Sequence, residues 1–409
     1  MRRMVIVVVA ALVADSGYAQ FSGYASAGYA YHSNPLYNFE TIHDRLLQGY
    51  WQLDCLMPSP QADWKFGYVG GLMLFQNLAA RNYYEHRLSA SLLRRFLSSD
   101  GKEEGEEEDA PFRRIELGAR VEARHDRAEY RQFDNWGAGV SGTYTVGSGK
   151  LSAIALSNET GIRRYAQVHE LDNITSVVGL RLTGGATEAA RYTLFGGAGV
   201  KHYVTSDVDT SVFVTAGSSS SNGQGKGKGK GLLSGTGNGK KDILVNASSV
   251  NTLQLHAGVG AAWQWEGGSA QSEFLYRIDP GSSTRVLAQY TNSTMLSEDL
   301  YNDFFSHAGP EFKLALRQQL PLGISLSLDV AAQRRKYLSP AFTLEGIQTA
   351  DTRVDLHGGV DLSFSRSIAL GEASALEVGV SGGALRNKSN DAYNDFSVQH
   401  YNVTVGMGF

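Results

Sequence analysis

Apolar and polar residues alternate with a period of two along most of this chain. In Arg114-Ile-Glu-Leu-Gly-Ala-Arg-Val-Glu-Ala-Arg124 one set is Ile115, Leu117, Ala119, Val121 and Ala123, and the other is Arg114, Glu116, Gly118, Arg120, Glu122 and Arg124. Successive side chains of a strand point to opposite faces, so this split fits an extended strand and no helix phase. Residues 352–364 repeat it, with Val354, Leu356, Gly358, Val360, Leu362 and Phe364 opposed to Arg353, Asp355, His357, Gly359 and Asp361. Ile324, Leu326, Leu328, Val330 and Ala332 do the same against Ser325, Ser327, Asp329 and Gln333. Comparable segments fall at 21–32, 46–57, 64–76, 83–96, 132–146, 151–164, 173–184, 190–204, 250–265, 270–279, 309–320, 374–386 and 395–409. The pattern predicts an all-β fold of about 16 strands, with room at 203–216 and 283–295 for more, so that 14 to 18 is the expected range.

Strands of this kind, apolar on one side and polar on the other, suit a transmembrane antiparallel up-and-down barrel with lipid outside and a polar interior. An even strand number places both ends of the chain on one side. The connections on that side would be 58–63, 147–150, 185–189, 266–269, 321–323 and 367–373, all short, and those on the other include 33–45, 205–249, 280–308, 336–351 and 387–394. Short periplasmic turns and longer external loops are the habit of such barrels. The acidic stretch Ser98 to Pro111 is long for its side, so it is either an unusual periplasmic turn or the mark of a miscounted strand. Residues 217–241, rich in Gly, Ser and Lys, have almost nothing to bury and are expected to be a disordered external loop.

The two ends sharpen this picture. Arg2 and Arg3, an apolar run from Met4 to Val13 and the small residues Gly17 and Ala19 read as a signal peptide spanning 1–19, cleaved after Ala19, with the barrel filling 20–409. At the other end Tyr401, Val403, Val405, Met407 and Phe409 share one face of the last strand, opposite Asn402, Thr404, Gly406 and Gly408. This aromatic-ended strand resembles the C-terminal signal by which Gram-negative outer-membrane barrels are recognised for insertion. Ser26 to Tyr37 is likewise similar to the opening strand of some outer-membrane porins. The resemblance implies the cell outer membrane as location, the barrel assembly machinery as partner during insertion, and outer-membrane lipid and lipopolysaccharide as surroundings.

Composition agrees. Tyr 20, Phe 17, Trp 5 and Gly 47 against Pro 8 is strand-rich usage, and the mean hydropathy of -0.23 leaves no stretch for a transmembrane helix. The single cysteine, Cys55, excludes an intramolecular disulfide and is expected to face lipid. A net charge of -4 gives no reason to expect nucleic acid.

The candidate chemistry lies on the polar phase. Arg87, Arg95, Arg114, Arg120, Arg124, Arg181, Lys313, Arg317 and Arg353 are expected to point inward beside Asp54, Glu85, Glu116, Glu122, Glu311, Asp329, Asp355, Asp361 and Glu377. Two readings are open: cross-strand ion pairs that rigidify the interior, or a transverse field that selects small polar or charged solutes. Arginines crowded between 87 and 131 would make one wall basic and favour anions mildly.

Other motifs are weaker. Gly225 to Lys230 alternates Gly and Lys but lacks the frame of a phosphate loop. Glu298, Asp299 and Asp303 could offer oxygen ligands to calcium, though without the spacing of a known site. The histidines are scattered, and no Gly-x-Ser-x-Gly element surrounds a serine, so neither an enzyme nor a cofactor is expected. The reading reached is a porin-like channel for small hydrophilic solutes, the alternative being a non-conducting or export-assisting barrel that binds lipid, polysaccharide or a protein. A lipid-facing surface of Gly, Ala and Leu would suit a homo-trimer contact and lipid equally well.

Overall fold

The computed structural model describes residues 19–409 except 60–61, 98–110, 128–130, 132–133, 149–151, 205–242, 247–250, 281–285, 290–304 and single loop positions at 36, 38, 40, 168, 170, 171, 186, 188, 306, 345 and 346. The expected signal peptide, the acidic stretch, the Gly/Lys repeat and the trio Glu298, Asp299 and Asp303 lie outside the described residues, apart from Ala19, Ser98's neighbour Leu97 and Pro111 at their borders.

Among the described residues eighteen strands follow one another: β1 (Gln20–His32), β2 (Asp44–Met57), β3 (Asp63–Phe75), β4 (Tyr83–Leu97), β5 (Pro111–Asp126), β6 (Asn135–Ser148), β7 (Ser152–Tyr165), β8 (Asn173–Gly185), β9 (Ala190–Tyr203), β10 (Ile243–Asn246), β11 (Asn251–Trp265), β12 (Gly268–Ile278), β13 (Val286–Gln289), β14 (Gly309–Leu320), β15 (Ile324–Phe342), β16 (Gln348–Ala369), β17 (Ala375–Ser389) and β18 (Phe396–Gly408). All but β10 and β13 form one closed antiparallel barrel in chain order, and β10 pairs with β13 in a separate two-stranded sheet. The barrel therefore has the sixteen strands that the alternation predicts, each over the expected segment.

Closure is made by the two ends. Tyr24 lies opposite Gly408, and Gly23 and Phe409 exchange backbone hydrogen bonds of 2.7 and 2.9 Å. The β11–β12 turn at this terminal end is short. Glu266 and Gly267 alone join β11 to β12, and Gly267 takes a φ of 74°, the left-handed backbone that favours glycine at the second position of a tight turn. Leu97 pairs with Phe112 across neighbouring strands, so β4 and β5 are adjacent and are connected at the terminal end.

The opposite end differs from expectation at 336–351. Residues 336–351 are mostly strand: β15 and β16 pair out to Phe342 and Gln348, with register shifts between Lys336 and Pro340 and again before Phe342. The irregular register removes the alternation that would have marked these residues as strand.

The outer surface carries the apolar set. Val140, Leu156, Leu180, Val259, Leu362, Tyr401 and Val403 are among many large apolar side chains left exposed around the ring, Val140 at 60% and Trp263 at 62%. Only a surrounding hydrocarbon phase makes such a continuous surface stable. Cys55 lies on this outward phase with Leu53, covered beside Phe21 and Phe66.

Candidate functional site

The inner face holds the polar set, and on β4 to β7 it is meshed by ion pairs. Glu122 on β5 accepts from Arg163 on β7 at 2.8 Å and pairs with Arg87 on β4 at 3.5 Å. Arg120 on β5 reaches Glu159 on β7 at 2.7 Å. Both of these β5 to β7 contacts cross β6, and they can do so because Gly137 and Gly139 stand between: a Cβ on Gly137 would lie 3.0 Å from the Glu122 side chain, and one on Gly139 3.4 Å from that of Arg120. Along β5, Arg114 pairs with Glu116 at 2.8 Å, and Arg124 pairs with Asp126 at 3.0 Å while lying 4.0 Å over the Tyr83 ring.

The facing wall is built the same way. Arg317 on β14 pairs with Asp329 on β15 at 2.8 Å, Lys313 with Glu311 at 2.6 Å, and His400 on β18 with Asp361 on β16 at 2.8 Å. Lys65 on β3 reaches Asp54 on β2 at 3.4 Å. Many of these side chains are half exposed: Arg87 58%, Arg120 47%, Glu159 51%, Arg317 49% and Asp361 57%. Since they point into a closed ring, the space they are exposed to is the interior of the barrel itself.

The end remote from the termini is packed instead. Ala30, Leu46 and Phe75 form an apolar cluster on the inner side of β1 to β3, with Met73, Leu78 and Tyr83 against it. Val398, Gln254, Asn387 and Asp355 are almost wholly buried. The stretch leading into β14 folds against this wall: Phe305 sits on Gly199 of β9, and Ala308 exchanges two backbone hydrogen bonds with Lys336 at 2.9 and 2.8 Å. The carbonyl of His307 accepts from Gln254 at 2.9 Å, and its Nε2 lies 3.0 Å from Arg277, which also pairs with Glu311. Burial, with Arg335, Arg277 and Arg353 close by, holds His307 well below the usual imidazole range. Burial pushes the Asp279 carboxyl up, against the opposing hydrogen bond from Gln254.

Every charged residue singled out in the sequence and lying within the described strands has the inward phase, but their surroundings divide. Arg87, Glu116, Arg114, Arg120, Glu122, Arg124, Lys313, Arg317, Asp329 and Asp361 are joined in the pairs above. Arg181 lies 5.4 Å over the ring of Phe195, and among the described residues neither it nor Arg95 has a carboxylate partner. Arg353 and Asp355 are correctly phased yet covered: Arg353 bonds Asp355 at 3.0 Å and stacks 4.1 Å from the centre of Tyr337, while Asn387 and Ser389 donate to the same carboxylate. Arginine between 87 and 131 thus makes a mixed wall rather than a basic one, because Glu116, Glu122 and Glu159 neutralise it.

The sequence reading missed Glu159 and Arg163, which hold β7 to β5, and the buried group of Arg277, Arg335 and His307. Arg335 and Tyr337 continue the inward phase of Ser325, Ser327, Asp329 and Gln333, and extending that count past 333 would have found them. His307 sits in a connection and gave no periodic signal.

No family model matches the chain, and no curated protein matches it. Among solved structures it is similar to OprD of Pseudomonas aeruginosa, at 8% identity over 97% of each chain with a TM-score of 0.46. It is similar to OpdL of the same organism, at 10% identity over 96% of this chain and 98% of that one with a TM-score of 0.45. A BenF-like porin from Pseudomonas fluorescens Pf-5 shares 8% identity over 96% and 99% of the two chains, with a TM-score of 0.48. At these identities and TM-scores the likenesses carry no functional inference.

Proposed function

We propose that the chain is an outer-membrane channel through which small hydrophilic solutes diffuse passively. The observation that carries this reading is the half-exposed state of Arg87, Arg120, Glu159, Arg317 and Asp361 on the inner face of a closed ring with an apolar exterior. A side chain inside a barrel is exposed only if the lumen beside it is unfilled, and sixteen strands can enclose an aqueous passage. The pairs then set a transverse field across that passage. Arg95 and Arg181, inward and without carboxylate partners among the described residues, support a mild preference for anions.

Purified protein reconstituted in planar bilayers tests this. Stepwise conductance with a reversal potential on the anion side in a salt gradient is expected. Folded, inserted protein that never conducts would overturn the channel. It would favour the second reading, a closed barrel that binds lipid, polysaccharide or a protein partner, for which the packed end around Gln254, Val398, Asn387 and Asp355 speaks.

A further inference from the structure

We infer that the outer surface of β15 to β17, at the end remote from the termini, is a binding site for the phosphorylated headgroup of a lipid in the outer leaflet. The inference rests on the outer-membrane reading above. It begins with the outward phase of two strands. On β15, Ile324, Leu326, Leu328, Val330 and Ala332 are followed in phase by Arg334 and Lys336; on β17, Leu376, Val378, Val380, Gly382 and Ala384 are followed by Arg386 and Lys388.

Register puts these cations side by side. Arg334 lies opposite Leu356 of β16, and Leu356 lies opposite Lys388. Lys336 lies opposite Val354, and Arg386 opposite Gly358. With strands ~4.8 Å apart, the row from Arg334 to Lys388 is roughly 10 Å wide, about one Debye length at physiological salt.

Below this row the outer face is wholly apolar: Val330, Val360 and Ala384 in one rank, then Leu328, Leu362 and Gly382, then Leu326, Phe364 and Val380. The cations therefore stand where an apolar belt ends, and Leu356, 52% exposed, remains among them. All four are exposed.

Their partners decide what they await. Arg386 is paired with Asp395, but among the described residues no carboxylate pairs with Arg334, Lys336 or Lys388. Three such cations on a lipid-facing rim, over acyl-chain surface, match an anionic headgroup whose chains lie along the belt. Lys and Arg at such a border can also extend their apolar stems along the belt and keep the charge at headgroup level. A soluble anion has no use for the apolar ranks beneath, so the site is one for lipid phosphate.

The test is the binding of lipopolysaccharide, native and enzymatically dephosphorylated, to the detergent-purified barrel. It compares wild type, the combined variant Arg334→Gln, Lys336→Gln and Lys388→Gln, and a control changed at the other end, Arg94→Gln with Arg113→Gln. Each cation near a phosphate contributes roughly fivefold in affinity. Saturable binding by wild type, weakened on the order of a hundredfold in the triple variant, weakened likewise by dephosphorylation and unchanged in the control, is the expected result. Equal affinity of the triple variant, equal binding of dephosphorylated lipid, or displacement by millimolar inorganic phosphate would each overturn the site. Bilayer insertion and conductance are recorded on the same samples. A triple variant that inserts and conducts like wild type yet binds lipid equally well sinks the site alone, whereas wild-type protein that fails to insert sinks the barrel reading.

Discussion

The guanidinium of Arg277 donates to Nε2 of His307 at 3.0 Å. An arginine has only donors, so that ring nitrogen must be an acceptor and the imidazole must be neutral. Its neighbours favour the same form: Arg335 and Arg353 add to Arg277, and the carboxylates Glu311 and Asp355 are bonded to arginine.

Acid should therefore loosen this end of the barrel. His307 is depressed when seated and ordinary when released, so below about pH 6.5 the released form takes up a proton that the seated form refuses. The seating of His307 is fully present above that value and is lost as pH falls toward the depressed one, by up to about 1.4 kcal/mol per pH unit for one proton. Conductance, or cleavage by added protease near Phe305, should rise between pH 7 and pH 5 in wild type. In His307→Gln, whose carbonyl can still accept from Arg277 without titrating, the profile should be flat. The same acid response in the variant would remove His307 from the account.

Glu122 is the hub of the β4 to β7 wall, serving Arg87 and Arg163 together. Glu122→Gln removes the carboxylate that Arg87 and Arg163 share while keeping the hydrogen-bonding shape. The reversal potential in a salt gradient should move toward anions, more than for Glu159→Gln, which frees only Arg120. Because the partners are partly exposed, the stability loss should stay within about 1 kcal/mol. An unchanged reversal potential would mean that solutes do not pass this wall.

At the seam, the ring of Phe409 covers Gly23: a Cβ built there would lie 2.3 Å from it. The backbone pair between the two residues closes the barrel, and the ring shields that pair on its lipid side. Deleting Phe409 should slow assembly and raise the fraction of unfolded protein in membrane preparations, seen by heat-modifiable migration on gels. Gly23→Val, by forcing the ring aside, should do the same to a smaller extent. Normal assembly of the deletion would detach the C-terminal strand from any role as an insertion signal.

The sixteen strands were legible because each must satisfy lipid on one side and water or charge on the other, which writes a period of two into the chain. Strand β5 shows this directly, from Arg114 to Arg124. The legibility fails where that double constraint lapses. Beyond Lys336, β15 and β16 pair outside the apolar belt, so nothing forces alternation and residues 336–351 pass for a loop. The partner of an inward charge is invisible for a different reason: Arg120 finds Glu159 two strands away only because Gly139 is bare, a fact of register rather than of either residue's own segment. Of the short pair outside the barrel, β13 falls in the segment 283–295 that left room for a further strand, whereas β10, four residues long, falls where periodicity gave no strand.

Two adjacent residues separate the faces most sharply. Val140 on β6 is 60% exposed on the outside, and Ser141 points inward opposite Gly118. Val140→Arg would put a charge near the middle of the apolar belt, where such changes cost about 2–4 kcal/mol at the bilayer midplane. Folding titrations in lipid vesicles should show that loss. Ser141→Arg meets an interior already lined with ion pairs and should fold with nearly wild-type stability, since its charge has water and carboxylates to face. Its effect should appear instead as lower single-channel conductance. If both variants were equally destabilised, the space beside Ser141 would be filled rather than aqueous, and the channel reading would fail at that level of the barrel.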